Sequence, residues 1–380
     1  MWELIPIFLI SCTLGIVSHS YSTYDNTLQK YTKKDKIIYI LLTICIVLFI
    51  GLRTRYNDTS NYLQSYSLIP EGVSIFNKVD FLKLGGNPGF WLLQNIIHNC
   101  GFSGQDFLLF FSCLSIIPTL WFIHKHSNNI ILSIFLTFTV GIVTLNAAAI
   151  KQCCAMAFGL IAVDAYLNKK YIKAIIFLLI AATFHPYVLM FAIAPLLTFK
   201  PWGKKTGILF VAFVIAGFSM QILINTILDI TTLLGEEYVF DSFAGEGVNF
   251  LRVLVTLAPT ALSFFVAKNG GYTEETKEQN LYINFTMLNG LVMFLALFGT
   301  ANYFGRLAHY FLPFVVISIP YMLSCLKRND KLLVGSIIIF AYLFYFWYES
   351  IYGGLGAFDN YFDRITIFEY LQQIFQERLS

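Results

Sequence analysis

The feature that most constrains this chain is a succession of apolar stretches, most of them long enough to cross a bilayer and joined by short polar links. A helix of about 20 apolar residues crosses the ~30 Å hydrocarbon layer. Such stretches fall at 2–20, 37–52, 105–123, 129–146, 150–167, 172–198, 206–229, 250–267, 281–299, 305–325 and 332–349. In that layer the backbone must satisfy its own polar groups, so each stretch is expected to be helical. Composition agrees, because only 12% of the residues are charged and 57% are hydrophobic, with mean hydropathy +0.68. A soluble domain carries about 25% charge. A disordered chain, a nucleic-acid-binding domain and a disulfide-stapled secreted domain are excluded on the same ground. The expected fold class is all-α: a polytopic integral membrane protein with roughly 11–12 transmembrane helices.

Residues 1–380 read as one transmembrane helical domain. Its long connections are 53–87 and 230–249, with a C-terminal tail at 350–380. Segment 88–100 is apolar but short and amphipathic, so it is expected to lie at the interface or to re-enter. Residues 2–18 lack a basic leader and an A-x-A site, so they are expected to persist as the first span. The seven cysteines, Cys12, Cys45, Cys100, Cys113, Cys153, Cys154 and Cys325, lie mostly in apolar runs without metal-binding spacing. They read as small buried hydrophobes.

Orientation follows from lysine and arginine in the short links. Clusters occur at Lys30, Lys33, Lys34 and Lys36; at Lys125; at Lys169, Lys170 and Lys173; at Lys200, Lys204 and Lys205; at Lys268 and Lys277; and at Lys327, Arg328 and Lys331. Assigning them all to the cytoplasm places 16 of the 25 basic residues inside and the N-terminus outside. That assignment requires segment 172–198 to break, which His185-Pro186 explains: proline removes a helix hydrogen bond.

Helix rise then acts as a ruler. From Lys36 to Arg53, from Lys169 back to Lys151, and from Lys327 back to Arg306 the helical distances are about 25, 27 and 31 Å. Each is close to one hydrocarbon thickness. Three cations from separate spans therefore share a depth, on the face where basic residues are otherwise sparse. Arg53 lies in RTRYNDTSNY with Arg55, Asp58 and Tyr62; Lys151 lies in NAAAIKQ with Asn146 and Gln152; Arg306 lies in NYFGRLAHY with His309 and Tyr310. His185 belongs at a similar depth. Asp164 is expected to pair with a nearby lysine such as Lys169. Tyr342, Tyr345, Trp347 and Tyr348 read as an interfacial belt.

Guanidinium forks bind phosphate oxygens bidentately, and lysine adds a point charge. A lipid-anchored pyrophosphate sits at that depth and is the leaving group when a lipid-diphosphate sugar donates its glycan, so cations there stabilise developing charge. No acidic pair in a soluble loop is placed to hold a metal, and no cofactor is expected. Each cation taken alone is equally an interfacial anchor, and His185 equally a hydrogen-bonded helix breaker.

Four blocks carry a resemblance: GLRTRYNDTSNY (51–62), NAAAIKQCCAMAFGLIAVDAYLNKK (146–170), AATFHPYVLM (181–190) and GRLAHYFLPF (305–314). On these the chain resembles the EpsG family of Wzy-like bacterial polysaccharide polymerases. Members usually carry arginine where this chain has Lys151, and glycine where it has Asn57.

The resemblance implies a membrane glycosyltransferase of the GT-C type in the bacterial cytoplasmic membrane, making capsule, exopolysaccharide or O-antigen. It implies joining of undecaprenyl-diphosphate-linked repeat units at the outer face without a metal, with release of undecaprenyl diphosphate. A chain-length regulator would be a further partner. On that reading Arg53, Arg55, Lys151 and Arg306 hold the donor diphosphate. His185 or Asp58 orients or deprotonates the acceptor hydroxyl. Tyr62, Gln152 and Tyr310 hydrogen-bond glycan or phosphate. Two other classes fit a cationic membrane protein: a flippase for lipid-linked oligosaccharide, and a glycosyltransferase using a polyprenyl-monophosphate sugar donor.

Overall fold

The computed structural model describes residues 3–25, 30–233, 248–269, 271–272, 276–299, 301–351 and 362–379. Most of loop 230–249 and part of tail 350–380 lie outside the described residues. Helix dominates: α1 (Leu4–Ser20), α2 (Ile37–Gly51), α3 (Thr59–Ser67), α4 (Pro88–Asn99), α5 (Gly104–His126), α6 (Ile130–Thr139), α7 (Ile142–Ala148), α8 (Ile150–Leu167) and α9 (Tyr171–Phe184) form the first part. After a 3-10 helix at Pro186–Leu197 come α10 (Lys204–Phe218), α11 (Met220–Leu233), α12 (Phe250–Lys268), α13 (Lys277–Leu295), α14 (Ala301–His309), α15 (Leu312–Ser324), α16 (Arg328–Ile351) and α17 (Ile367–Leu379). Among the described residues strands are confined to two short antiparallel pairs, β1 (Thr23–Asp25) with β2 (Lys30–Lys33), and β3 (Arg53–Arg55) with β4 (Asp363–Arg364).

Helix α8 is the hub, packing most extensively on α9 and α5, with α5 in turn on α2. Its sequence explains the role, since Cys153, Cys154, Ala155, Ala157, Gly159, Ala162 and Ala165 are small and let neighbours approach closely. At Gly159 a Cβ would stand 2.7 Å from Val188 Cγ2 and 2.8 Å from Phe191 Cδ2, so only glycine admits the 3-10 helix at this distance. The second half centres on α13, packed against α12 and α15. Phe191, Phe285, Phe311 and Phe314 join the halves, with ring centroids 4.5–6.0 Å apart. Large apolar side chains such as Leu9, Ile40, Ile176, Ile215 and Phe340 are exposed on the helices, as lipid contact requires.

The apolar stretches become helices at nearly their expected bounds. Helix α9 ends at Phe184, and His185 (φ −162°, ψ 112°) leaves the helical region as a residue before proline does. Among the described residues four helices are individually long and apolar enough to cross a membrane, and up to seven spans result if each bent pair is one. The bent pairs are where a uniform span was expected and the structure differs. Segment 206–229 turns by 94° between α10 and α11, segment 305–325 by 53° between α14 and α15, and segment 129–146 by 45° between α6 and α7. Gly141 (φ 90°) makes the last bend. Ser219, two residues after Gly217, makes the first, and α11 then folds Met220 and Ile224 against Val253, Met293 and Phe304.

Contacts along α5 show how charge is divided between the two ends of the bundle. At its C-terminal end Lys34 Nζ donates to the carbonyls of His124 and Lys125, at 2.5 and 2.8 Å. Lys125 Nζ reaches Asp164 Oδ1 at 2.5 Å. His126 lies between Asp164 (Nε2, 3.0 Å) and Glu278 (Nδ1, 2.8 Å). Asp164 thus pairs with Lys125 and His126 rather than with Lys169, because α5 runs beside α8 at that level. At the other end of α5, 23 residues or about 34 Å away, Gln105 Nε2 donates to the carbonyls of Gly51 and Arg53, at 2.6 and 3.3 Å. Lysine-rich links and Arg53 therefore occupy opposite ends.

Candidate functional site

The arginine end is assembled from four elements that start or stop there. Strand β3 leaves α2 and pairs with β4, so the chain is extended where Arg53 sits. Asn57 follows with φ 46°, the left-handed region where glycine is cheapest and asparagine next. That conformation accounts for the glycine usual in the resembling family at this point. Asp58 then precedes α3, half-exposed, with no side-chain cap bond.

Arg53 is fully buried. Its Nε donates to Thr59 Oγ1 at 3.0 Å, and its Nη1 to the Ile50 carbonyl at 2.7 Å and to Ser112 Oγ at 3.4 Å. Its Nη2 is buried with no hydrogen-bond partner among the described residues. Tyr62 and Cys153 are its electrostatic neighbours, and no carboxylate pairs with it there. An enclosed cation without a counter-ion costs several kcal/mol. Its charge therefore acts on the site through the protein interior.

Lys151 begins α8 and is half-buried. Its Nζ lies 4.8 Å from the Phe90 ring centroid and 5.6 Å from that of Trp91, two cation–π contacts from the first turn of α4. The aromatic platform depends on Gly89. A Cβ there would stand 2.1 Å from Thr183 Oγ1 and 3.2 Å from the Thr183 carbonyl, so glycine lets α4 dock against the end of α9, two residues before His185. Segment 88–100 is accordingly a 12-residue helix whose first turn joins the site.

The next residue, Gln152, is buried and its Nε2 donates to the Arg306 carbonyl at 2.7 Å, tying α8 to α14. Arg306 itself is exposed. His185 Nδ1 is 2.9 Å from Tyr310 Oη, and Tyr310 is fully buried. Lys151 and Arg306 are the charged groups that act on His185 electrostatically. Among the described residues Nδ1 has Tyr310 as partner and Nε2 has none. When Tyr310 accepts from Nδ1–H, the Nε2 lone pair is free to take a proton.

Of the residues expected from sequence, His185 and Tyr310 are hydrogen-bonded, Gln152 is tied to the Arg306 backbone, and Lys151 and Arg306 act on His185 electrostatically. Tyr62 connects Arg53 to them: its ring is 5.9 Å from that of Phe90, which also carries Lys151. Arg55 is exposed at the end of β3, opposite Asp363, and Asp58 acts electrostatically on Tyr62. Neither contacts His185. The common depth expected from straight helices also needs one correction. Arg306 lies on α14, bent away from α15, so the 31 Å ruler from Lys327 does not apply to it.

Several participants were not anticipated. Phe90, Trp91 and Gly89 sat inside a stretch whose amphipathicity gave no hint of chemistry. Thr59 from α3, and Ser112 and Gln105 from α5, hold Arg53 and its strand. His309 has a buried Nδ1 without a partner among the described residues and lies in electrostatic reach of Arg252 and Arg306. The expected tyrosine belt is partly internal: Tyr342 is buried, and Tyr345 Oη donates to Glu349, which also faces Arg252.

Helices that pass repeatedly through a bilayer, with cations gathered around a histidine–tyrosine pair at one end, define a multi-pass membrane protein with a polar centre near one surface. The model of the EpsG family matches residues 36–362, and the chain belongs to that family. The family is one of Wzy-like polysaccharide polymerases, which act on lipid-linked oligosaccharides in a membrane. No curated protein and no solved structure matches the chain.

Proposed function

We propose that this protein polymerises undecaprenyl-diphosphate-linked repeat units at the outer face of the bacterial cytoplasmic membrane, building a capsule, exopolysaccharide or O-antigen. The observation that carries the reading is the placement of Lys151 and Arg306 about one hydrogen-bonded pair, His185–Tyr310. The acceptor sugar hydroxyl attacks the anomeric carbon of the donor. The bond between that carbon and the phosphate oxygen breaks, and undecaprenyl diphosphate leaves. Lys151 and Arg306 neutralise the diphosphate as charge develops, and the buried charge of Arg53 adds to the field behind them. His185 Nε2 takes the hydroxyl proton while Tyr310 fixes the ring. Tyr62 and Gln152 support the cations, and Arg55 meets the lipid headgroup side. Asp58, held apart from His185, steers the acceptor sugar rather than acting as base. No cofactor has a step in this scheme.

The test is complementation of a deletion strain with Lys151→Ala, Arg306→Ala and His185→Ala at equal membrane levels. Charge-assisted hydrogen bonds contribute about 1.5–3 kcal/mol each, so each cation variant should lose about 10–100-fold in polymer. Single repeat units on undecaprenyl diphosphate should accumulate. Long-chain polymer at wild-type level in all three variants would end the assignment.

A further inference from the structure

Beside the cationic centre, at the same end of the bundle, lies a second and chemically different cavity. It has a volume of about 1060 Å³ and runs between α3, the following connection and the link from α4 to α5. Gln64, Glu71, His98, Asn99 and Phe102 are among its walls, and no lysine or arginine lines it. The groove therefore does not attract a phosphate. Its groups suit hydroxyls: amides that donate and accept, a carboxylate that accepts, and an imidazole. His98 Nδ1 is buried and unpartnered. Asn99 uses its Nδ2 on the Val73 carbonyl at 2.7 Å, which leaves its Oδ1 as an acceptor.

Phe102 is the second observation. It stands 54% exposed on a link of only a few residues between two helices, where its ring gains nothing by chance. Helix α4 ends in a left-handed glycine, Gly101 (φ 77°), with Phe102 N–H donating back to the Ile97 carbonyl at 3.3 Å. Tyr66 Oη donates to the Phe102 carbonyl at 2.7 Å. Ser103 immediately caps α5, with its Oγ accepting from Asp106 N–H at 3.3 Å. An aromatic face is thus held rigidly at the rim of a hydroxyl-binding groove, the usual design for gripping the apolar face of a sugar ring.

Helix α3 links the groove to the cationic centre, with residues of one turn facing each. Tyr62 faces Phe90 and Arg53, while Tyr66, one turn or about 6 Å further along, lines the groove and stacks on Phe107 at 4.8 Å. That step is comparable to the length of one pyranose unit. The geometry points to a saccharide subsite that holds the uncharged growing glycan just beyond the diphosphate, an inference that rests on the polymerase reading above.

Chain-length distributions test it. In the deletion strain complemented with Phe102→Ala or with Gln64→Ala/Glu71→Gln, the modal chain length should fall about threefold or more, while the first joined pair of repeat units still forms. Phe76→Ala, exposed on the same connection but outside the groove, should leave the ladder unchanged. In parallel, saturation-transfer NMR with purified protein and a two-repeat oligosaccharide cut from the strain's own polymer reads binding directly. Transfer should occur to wild type and to His185→Ala and vanish in Phe102→Ala. A wild-type ladder with undiminished transfer in the groove variants would overturn the subsite and leave the polymerase standing. A deletion strain that fails to accumulate single lipid-linked repeat units would remove both.

Discussion

Replacing Arg53 by methionine separates two roles that a buried arginine can have. Thr59 Oγ1 keeps its bond to the Tyr56 carbonyl (2.6 Å) and Ser112 Oγ keeps its bond to the Leu108 carbonyl (2.8 Å). Only the Ile50 carbonyl loses a strong partner, a cost of about 1–3 kcal/mol. Against this, the variant no longer encloses a guanidinium without a counter-ion, which recovers a comparable or larger sum. Methionine also fills much of the volume, so no large cavity adds to the cost. Arg53→Met should therefore accumulate normally, with a melting temperature in detergent within about 4 °C of wild type. Polymer should nonetheless fall about 10–100-fold, because the buried charge that supports the site is gone. Arg53→Lys keeps that charge but cannot meet both Thr59 and Ile50, and should restore polymer only in part. Fluorescence-detected size exclusion reports the first quantity and gel ladders of polymer the second. A methionine variant that fails to accumulate, or that polymerises normally, refutes the reasoning.

Two further substitutions probe how the site is held. Gly89→Ala places a methyl 2.1 Å from Thr183 Oγ1 and 3.2 Å from a backbone oxygen that cannot retreat. It should cost about 1–3 kcal/mol and displace the Lys151 platform, reducing polymer far more than protein level; an unchanged ladder would show that the platform tolerates movement. His126→Ala removes the ring between Asp164 and Glu278 at the opposite end of the bundle, and should lower thermal stability by about 1–3 kcal/mol with polymer per protein unchanged; a chain-length defect at normal stability would contradict that placement.

Features with local causes could be read from the sequence. The helices lie where the apolar stretches are, because hydropathy sums along the chain, and the break at His185 follows from the adjacent Pro186. The bend at Ser219 could not be read, because it carries no proline or left-handed glycine and tertiary packing decides it, whereas Pro313 in the first turn of α15 marks the bend at Tyr310–Phe311. Depth along a straight helix does not hold for Arg306 on its bent helix, and it carries no information on enclosure. That Arg53 is sealed by Thr59 and Ser112 depends on α5 passing beside α2. Trp91 became part of the site only because Gly89, seemingly an ordinary helix start, meets Thr183 from a segment almost a hundred residues away.

The β3–β4 pair has a practical corollary. The strand that presents Arg53 is completed by residues 363–364, with Ile365 N–H donating to the Leu52 carbonyl at 3.0 Å and Phe362 stacked on Phe49 at 4.8 Å. These contacts join the tail to the start of the site, and 363–364 lie just past the stretch shared with the family. Reporter fusions that replace the tail to map which loops face the cytoplasm would therefore strip β3 of its only strand partner among the described residues and leave an open edge. Such a hybrid could report topology correctly while being enzymatically dead, so genetic dissection of this protein is better served by insertions that leave 362–379 in place.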